Sequence, residues 1–173
     1  MNRYKKSIIS ILIITLVVIL FIGGKIFAQN KGMKTYSNNN YSISLPKTWD
    51  IKEVDENIKL FYSNDIEVGS IEVYPECSYC STISSFATNV FGMHSNLKYK
   101  EEIENGNGQK IWRLLVEYEP SAAEQEAGNS EVKEEQYFLW TNKEDKVILL
   151  YLDKEEISTE MINKIISYFT ISF

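Results

Sequence analysis

The chain has 173 residues, 44% of them hydrophobic and 24% charged, with eight Gly, three Pro and two Cys. That composition excludes a collagen-like repeat, a disulfide-dense miniprotein and a wholly disordered chain, because apolar residues are ample and cysteine is scarce. Eighteen basic and twenty-four acidic residues give a formal charge of −6; four of the basic ones (Arg3, Lys5, Lys6, Lys25) precede residue 30 and no acid does, so the remainder carries fourteen against twenty-four, or −10. A body of that sign repels phosphate backbones, and no nucleic-acid partner is expected.

Arg3, Lys5 and Lys6 lead into an apolar run over 8–22 that only Ser10 and Thr15 interrupt, and Lys25 closes it. From 7 to 24 a helix rising about 1.5 Å per residue covers roughly 27 Å, close to the hydrocarbon thickness of a bilayer. The expectation is a basic cytoplasmic end over 1–6 and a single transmembrane helix over 7–25. The basic cluster keeps its own end in the cytoplasm and sends the rest of the chain outside. A cleaved signal peptide is the competing reading and would make the protein secreted. Ile26-Phe27-Ala28 is a poor cleavage site, since a bulky Ile stands where a small residue is preferred, so the anchor is favoured.

Residues 26–40, with QNKGMKTYSNNN at their end, read as a polar tether. From Tyr41 to the end the pattern is that of one domain, 41–173. Short apolar alternations predict strands over 41–45, 49–54, 58–62 and 67–74, with Asn64-Asp65 as the turn between the last two. Ile83, Phe86, Ala87, Val90 and Phe91 form one apolar face of a helix that starts near Ser81. An edge strand over 98–104 enters a hairpin at Asn105-Gly106-Asn107-Gly108 and returns over 109–119, where Trp112, Leu114, Val116 and Tyr118 share a face.

An acidic loop over 120–131 follows, with Ser121 and Glu124 at the spacing of a capping box for one helical turn. Strands over 137–141 and 147–152 are apolar on both faces and therefore central. Ser158 caps a last helix, with Ile157 and Ile162 as its staple and Met161, Ile165, Ile166 and Phe169 on the buried side. Residues 170–173 form a short extended tail. The sum is α+β: a mostly antiparallel sheet of about seven strands flanked by helices, preceded by one transmembrane helix.

Tyr41-Ser-Ile-Ser-Leu-Pro-Lys-Thr-Trp49 resembles the opening of the PsbP/Mog1-like families, where an aromatic-led strand ends in Leu-Pro and a Trp starts the next. Ile165-Ile-Ser-Tyr-Phe-Thr-Ile-Ser-Phe173 is similar to their ending, a terminal helix running into a short tail. The resemblance covers about 36–173 in element order. It implies an antiparallel sheet covered by helices, used as a binding or assembly module, and it supplies no catalytic residue. Val68-Gly69, His94-Ser95 and the Ile-, Lys- and Asn-rich composition resemble small membrane-anchored proteins of Firmicutes, which are Gram-positive bacteria.

Cys77-Ser-Tyr-Cys80 is the sharpest chemical feature, between a strand and a helix. Outside the cytoplasm such a pair oxidises, and a disulfide pinning this corner is its structural role. Thiol-disulfide exchange would instead need Cys77 exposed and its thiolate favoured by the helix amino end. The buried parallel strand that precedes such motifs is missing, since Glu67, Glu72 and Glu76 interrupt the run. Cys77, Cys80 and His94 offer three zinc ligands where a structural site takes four. No cofactor is implied, and no G-x-S-x-G, H-E-x-x-H or phosphate-cradling Gly loop occurs. Glu117, Glu119, Glu124, Glu126, Glu131, Glu134 and Glu135 read as a solvated acidic face that associates weakly with cations at most.

Two functions follow for the domain. The first is a membrane-tethered extracytoplasmic module, without catalytic activity, for a protein or envelope partner; a sensory ectodomain acting through a partner is not separable from it. The second is an extracytoplasmic oxidoreductase using Cys77 and Cys80.

Overall fold

The computed structural model describes residues 32–172 apart from 79, 81, 93, 129 and 142–145. The expected cytoplasmic end over 1–6 and the anchor over 7–25 lie outside the described residues, as do Ser81 and Phe173. Among the described residues no helix is long and apolar enough to cross a membrane. The chain divides into two units, 1–33 and 34–173, and everything below concerns the second except where β1 begins one residue earlier.

β1 (Met33–Ser37) and β2 (Tyr41–Pro46) lie side by side, with the Thr35 and Ser44 hydroxyls 2.8 Å apart and those of Ser37 and Ser42 2.7 Å apart. Residues 33–40, expected as part of the tether over 26–40, are therefore strand and turn, while 26–31 lie outside the described residues. The Asn run is a turn, in which Asn38 Oδ1 accepts from the backbone N–H of Asn40 and of Tyr41 at 2.8 and 2.9 Å. Asn side chains bond their own backbone two and three residues on, so an Asn cluster folds a hairpin as readily as it leaves a linker open.

β3 (Asp50–Glu53), β4 (Ile58–Ser63) and β5 (Ile66–Tyr74) form an antiparallel meander. Asn64 and Asp65, at φ of 51° and 66°, make the expected two-residue turn, whose left-handed pair matches the twist of the strands it joins. α1 (Ile83–Val90) starts at Thr82, whose side chain accepts from Ser85 N. β6 (Ser95–Glu104) and β7 (Lys110–Tyr118) follow as a hairpin, and α2 (Ala122–Glu126) carries the expected capping box of Ser121 and Glu124. β8 (Lys133–Thr141) and β9 (Val147–Leu152) lead to α3 (Thr159–Ser167), N-capped by Ser158, and to β10 (Thr170–Ile171).

The strands form two sheets. The larger has seven strands in the order β3-β4-β5-β9-β8-β7-β6, with antiparallel pairing throughout; the smaller has the order β1-β2-β10. β9 and β8 are central, as their apolar character on both faces requires. β8 starts four residues before the expected position, because Lys133-Glu-Glu-Gln136 has no apolar pattern to read. It pairs with β7 all the same, Glu134 opposite Glu117 and Lys133 opposite Tyr118.

Alternation along the central strands divides the core in two. Leu139, Val147 and Leu149 face α1 and join Phe86, Leu114 and Cys77 in one cluster. Trp140 points the other way and stacks on Phe169 beyond α3. Ile157, Ile162, Ile165, Ile166 and Phe169 are all buried. Met161 is half-buried rather than fully covered. Thr170 and Ile171 pair with Ser42 and Tyr41, returning the chain's end to the start of the domain.

Candidate functional site

β5 delivers the cysteine pair to the corner before α1. Cys77 and Cys80 are disulfide-bonded, with Cα atoms 5.2 Å apart, and Cys80 N–H donates to the Cys77 carbonyl at 3.1 Å. Cys77 is 1% exposed and packs in the apolar cluster with Phe86, Leu114 and Leu139, while Cys80 is half-buried at its margin. An exchange reaction needs a thiolate that a second disulfide can reach in line. Cys77 is closed to that approach by α1 and the sheet.

His94 is exposed in the turn that enters β6, where its carbonyl accepts from Glu119 N–H at 2.9 Å. With Tyr118, Glu119, Ser121, Glu124 and Lys133 it borders a shallow cavity of about 230 Å³ beside α2. Hydrogen bonds from the Ser121 side chain and backbone hold the Glu124 carboxyl below its usual range. Cys77 and Cys80, two of the three residues with zinc-ligand chemistry, are joined in the disulfide. Among the described residues no three His, Cys, Asp or Glu side chains are grouped to hold a metal. The acidic residues do not form one loop: Glu117 lies on β7, and Glu134 and Glu135 lie on β8, with Glu117 paired to Lys98 at 3.2 Å and Glu134 to Lys154 at 3.0 Å.

An aromatic row not foreseen from the sequence runs beneath α1. Tyr74 meets Phe86 edge-on at 5.5 Å, Phe86 meets Phe91 at 6.1 Å, Phe91 meets Tyr137 at 4.6 Å and Tyr137 meets Tyr151 at 5.3 Å. Its end is polar. The Tyr118 and Tyr137 hydroxyls are 2.9 Å apart, and Tyr137 donates to Glu135 at 2.5 Å. Burial, then the Glu135 hydrogen bond, pushes the Tyr137 phenol far above its ordinary range; burial, then the Glu135 charge, does the same to Tyr151. These phenols stay protonated at any physiological pH. They can donate hydrogen bonds and stack, but they offer no base or nucleophile.

Two further concavities flank the sheet. One of about 260 Å³ lies between the smaller sheet and β3-β4, lined by Tyr36, Tyr41, Ile51, Glu53, Lys59 and Phe61. Burial, then the charge of Glu53, pushes the Tyr41 phenol up to about 12. The other, about 430 Å³, is an open groove between α1 and β6, bordered by Ser84, Thr88, Phe91, Leu97, Lys98 and Lys100.

No family model matches the chain, and no curated protein matches it. In fold it is similar to the solution structure of cyanobacterial PsbP (CyanoP) from Synechocystis sp. PCC 6803, with 14% identity and a TM-score of 0.53 over 81% of this chain and 92% of that one. A crystal structure from Bacteroides thetaiotaomicron VPI-5482 overlaps more loosely, with 15% identity and a TM-score of 0.37 over 81% of this chain and 48% of that one. The fold is PsbP-like, as the segments at 41–49 and 165–173 imply.

Proposed function

We propose that the chain is a membrane-tethered, extracytoplasmic binding or assembly module without catalytic activity. The observation that carries this reading is the burial of Cys77, 1% exposed inside the apolar cluster under α1. On this reading the Cys77–Cys80 disulfide takes a structural role. The PsbP-like fold supports the same reading. The basic start and apolar run over 3–25 support the tether and the outward orientation of the domain. The partner on this reading is a protein or another component of the cell envelope.

Two measurements on the full chain test it. A cysteine introduced in place of exposed Glu56 should be labelled by a membrane-impermeant maleimide in intact cells; labelling only after lysis would refute the outward orientation. The Cys77–Cys80 pair should have a reduction potential below about −300 mV, as structural disulfides do. A value near −120 to −230 mV, with alkylation of Cys77 well below pH 7, would replace the binding module with an oxidoreductase.

A further inference from the structure

The seven-stranded sheet ends on β3 at one edge and β6 at the other. β3 has four residues, too short to template another strand, whereas β6 has ten. A long edge with one row of unpaired N–H and C=O groups is a pairing surface unless something blocks it. The charges on β6 are segregated: Lys98 and Lys100 come first, then Glu101, Glu102 and Glu104.

We infer that β6 is a dimerisation edge, on which a second copy of this chain pairs antiparallel about a two-fold axis at Glu101. That register sets Lys100 opposite Glu102 and Tyr99 opposite Ile103, each pair occurring twice, within the regular run that follows the bulge between Leu97 and Tyr99. Parallel pairing would instead lay lysine on lysine and glutamate on glutamate. Lys100 has no ion-pair partner among the described residues. Tyr99 is 46% exposed, an apolar surface that Ile103 of the second copy would cover. Glu101 meets its own symmetry mate, but each is already paired with Arg113 of its own β7; Glu102 is likewise paired with Lys110 and Lys98 with Glu117, so Lys100 is the charge the second copy newly partners, by sharing the Glu102 carboxylate with Lys110.

The groove between α1 and β6, about 430 Å³, leaves room beside Lys98 and Lys100 for the acidic half of the incoming strand. Strand addition at an edge flanked by a helix is a recurrent recognition geometry, with main-chain hydrogen bonds for affinity and side-chain pairs for register. The same surface serves both copies, so assembly closes at two. The inference goes beyond the proposed function and holds whether or not the domain is tethered.

The test uses the full chain in mild detergent, with copies carrying two different affinity tags. Wild-type copies should capture one another. Lys100→Glu alone and Glu102→Lys alone each set like charges across the axis and should weaken capture about tenfold or more. A Lys100→Glu copy mixed with a Glu102→Lys copy restores opposite charges at both pairs and should recover capture, which also shows that both variants fold. Glu101→Cys should crosslink to its counterpart on oxidation, since facing Cα atoms in such a ladder are about 4.5–5.5 Å apart and the native cysteines are already bonded to each other. Lys110→Cys, one strand inward, should not. Absence of wild-type capture, unchanged capture in the single variants, or failure of both the charge swap and the crosslink would overturn the inference.

Discussion

The indole of Trp140 and the ring of Phe169 stack with centroids 4.1 Å apart, and Phe169 stacks in turn on Tyr41 at 5.9 Å. Three residues from the centre of the larger sheet, the end of α3 and the first strand of the 41–173 segment thus share one contact. All three are buried. Phe169→Ala should destabilise the domain by about 3–5 kcal/mol, the usual cost of emptying a large aromatic site. Urea denaturation measures it; a loss below about 1 kcal/mol would mean that α3 and the smaller sheet are peripheral to the cooperative unit.

Asn105 is buried and makes a comparable long-range tie through hydrogen bonds. Its Nδ2 donates to the Phe169 carbonyl at 2.7 Å, and its Oδ1 accepts from the N–H of Asn107 and of Gln109, each at 2.9 Å. Asn105→Ala should cost about 1–3 kcal/mol, because the Phe169 carbonyl and two part-buried turn amides each lose a hydrogen bond, Asn107 Nδ2 at 3.4 Å being the carbonyl's remaining donor. Gly106→Ala should also destabilise, since its Cβ would overlap the Ser167 carbonyl. A thermal melt of Gly106→Ala below that of the wild type checks it.

The double change Cys77→Ala and Cys80→Ala should lower stability by about 2 kcal/mol, the chain-entropy value for so short a loop. Alanine avoids placing a serine hydroxyl among Phe86, Leu114 and Leu139. Guanidinium titration of this variant beside the wild type reads the difference directly. Failure of the variant to fold would assign the disulfide a far larger part than a corner staple.

Alkaline pH should unfold the domain through its buried phenols. The folded state raises the Tyr137 value above its ordinary 10.0, first by burial and then through Glu135. Its stabilising contribution is complete below about pH 10 and is lost as the pH rises from there toward the folded value. Tyr137→Phe removes one such group, so stability between pH 10 and 12 should fall less steeply by about 1.4 kcal/mol per pH unit. An unchanged slope would show that Tyr137 ionises in the folded protein as freely as in the unfolded one.

Elements with a local code were legible in the chain. The Asn64-Asp65 turn, the Ser121 capping box, the Ser158 cap and the apolar stripe of α1 all appear where expected. β1 and the first half of β8 were not, for opposite reasons. An Asn run codes equally for a turn and for a linker, and Lys133-Glu-Glu-Gln136 forms a strand only because β7 offers it a partner. Of the candidate site, the cysteine spacing showed that a disulfide could close, since the reach is only three residues. It held nothing about whether Cys77 would face water.

By itself, the sequence determined the charge of the body, the alternation that makes a two-faced antiparallel sheet, and the spacing of the two sulfurs, because each depends on neighbours within a few positions. Only the tertiary structure decided that Cys77 sits under α1, that Asn105 reaches Phe169 across 64 positions, that the tyrosines gather beside Glu135, and that β6 rather than β3 is the long free edge. Those relationships come from strand order and helix placement. They are set by which distant apolar faces bury one another, and residue periodicity carries no address for a partner.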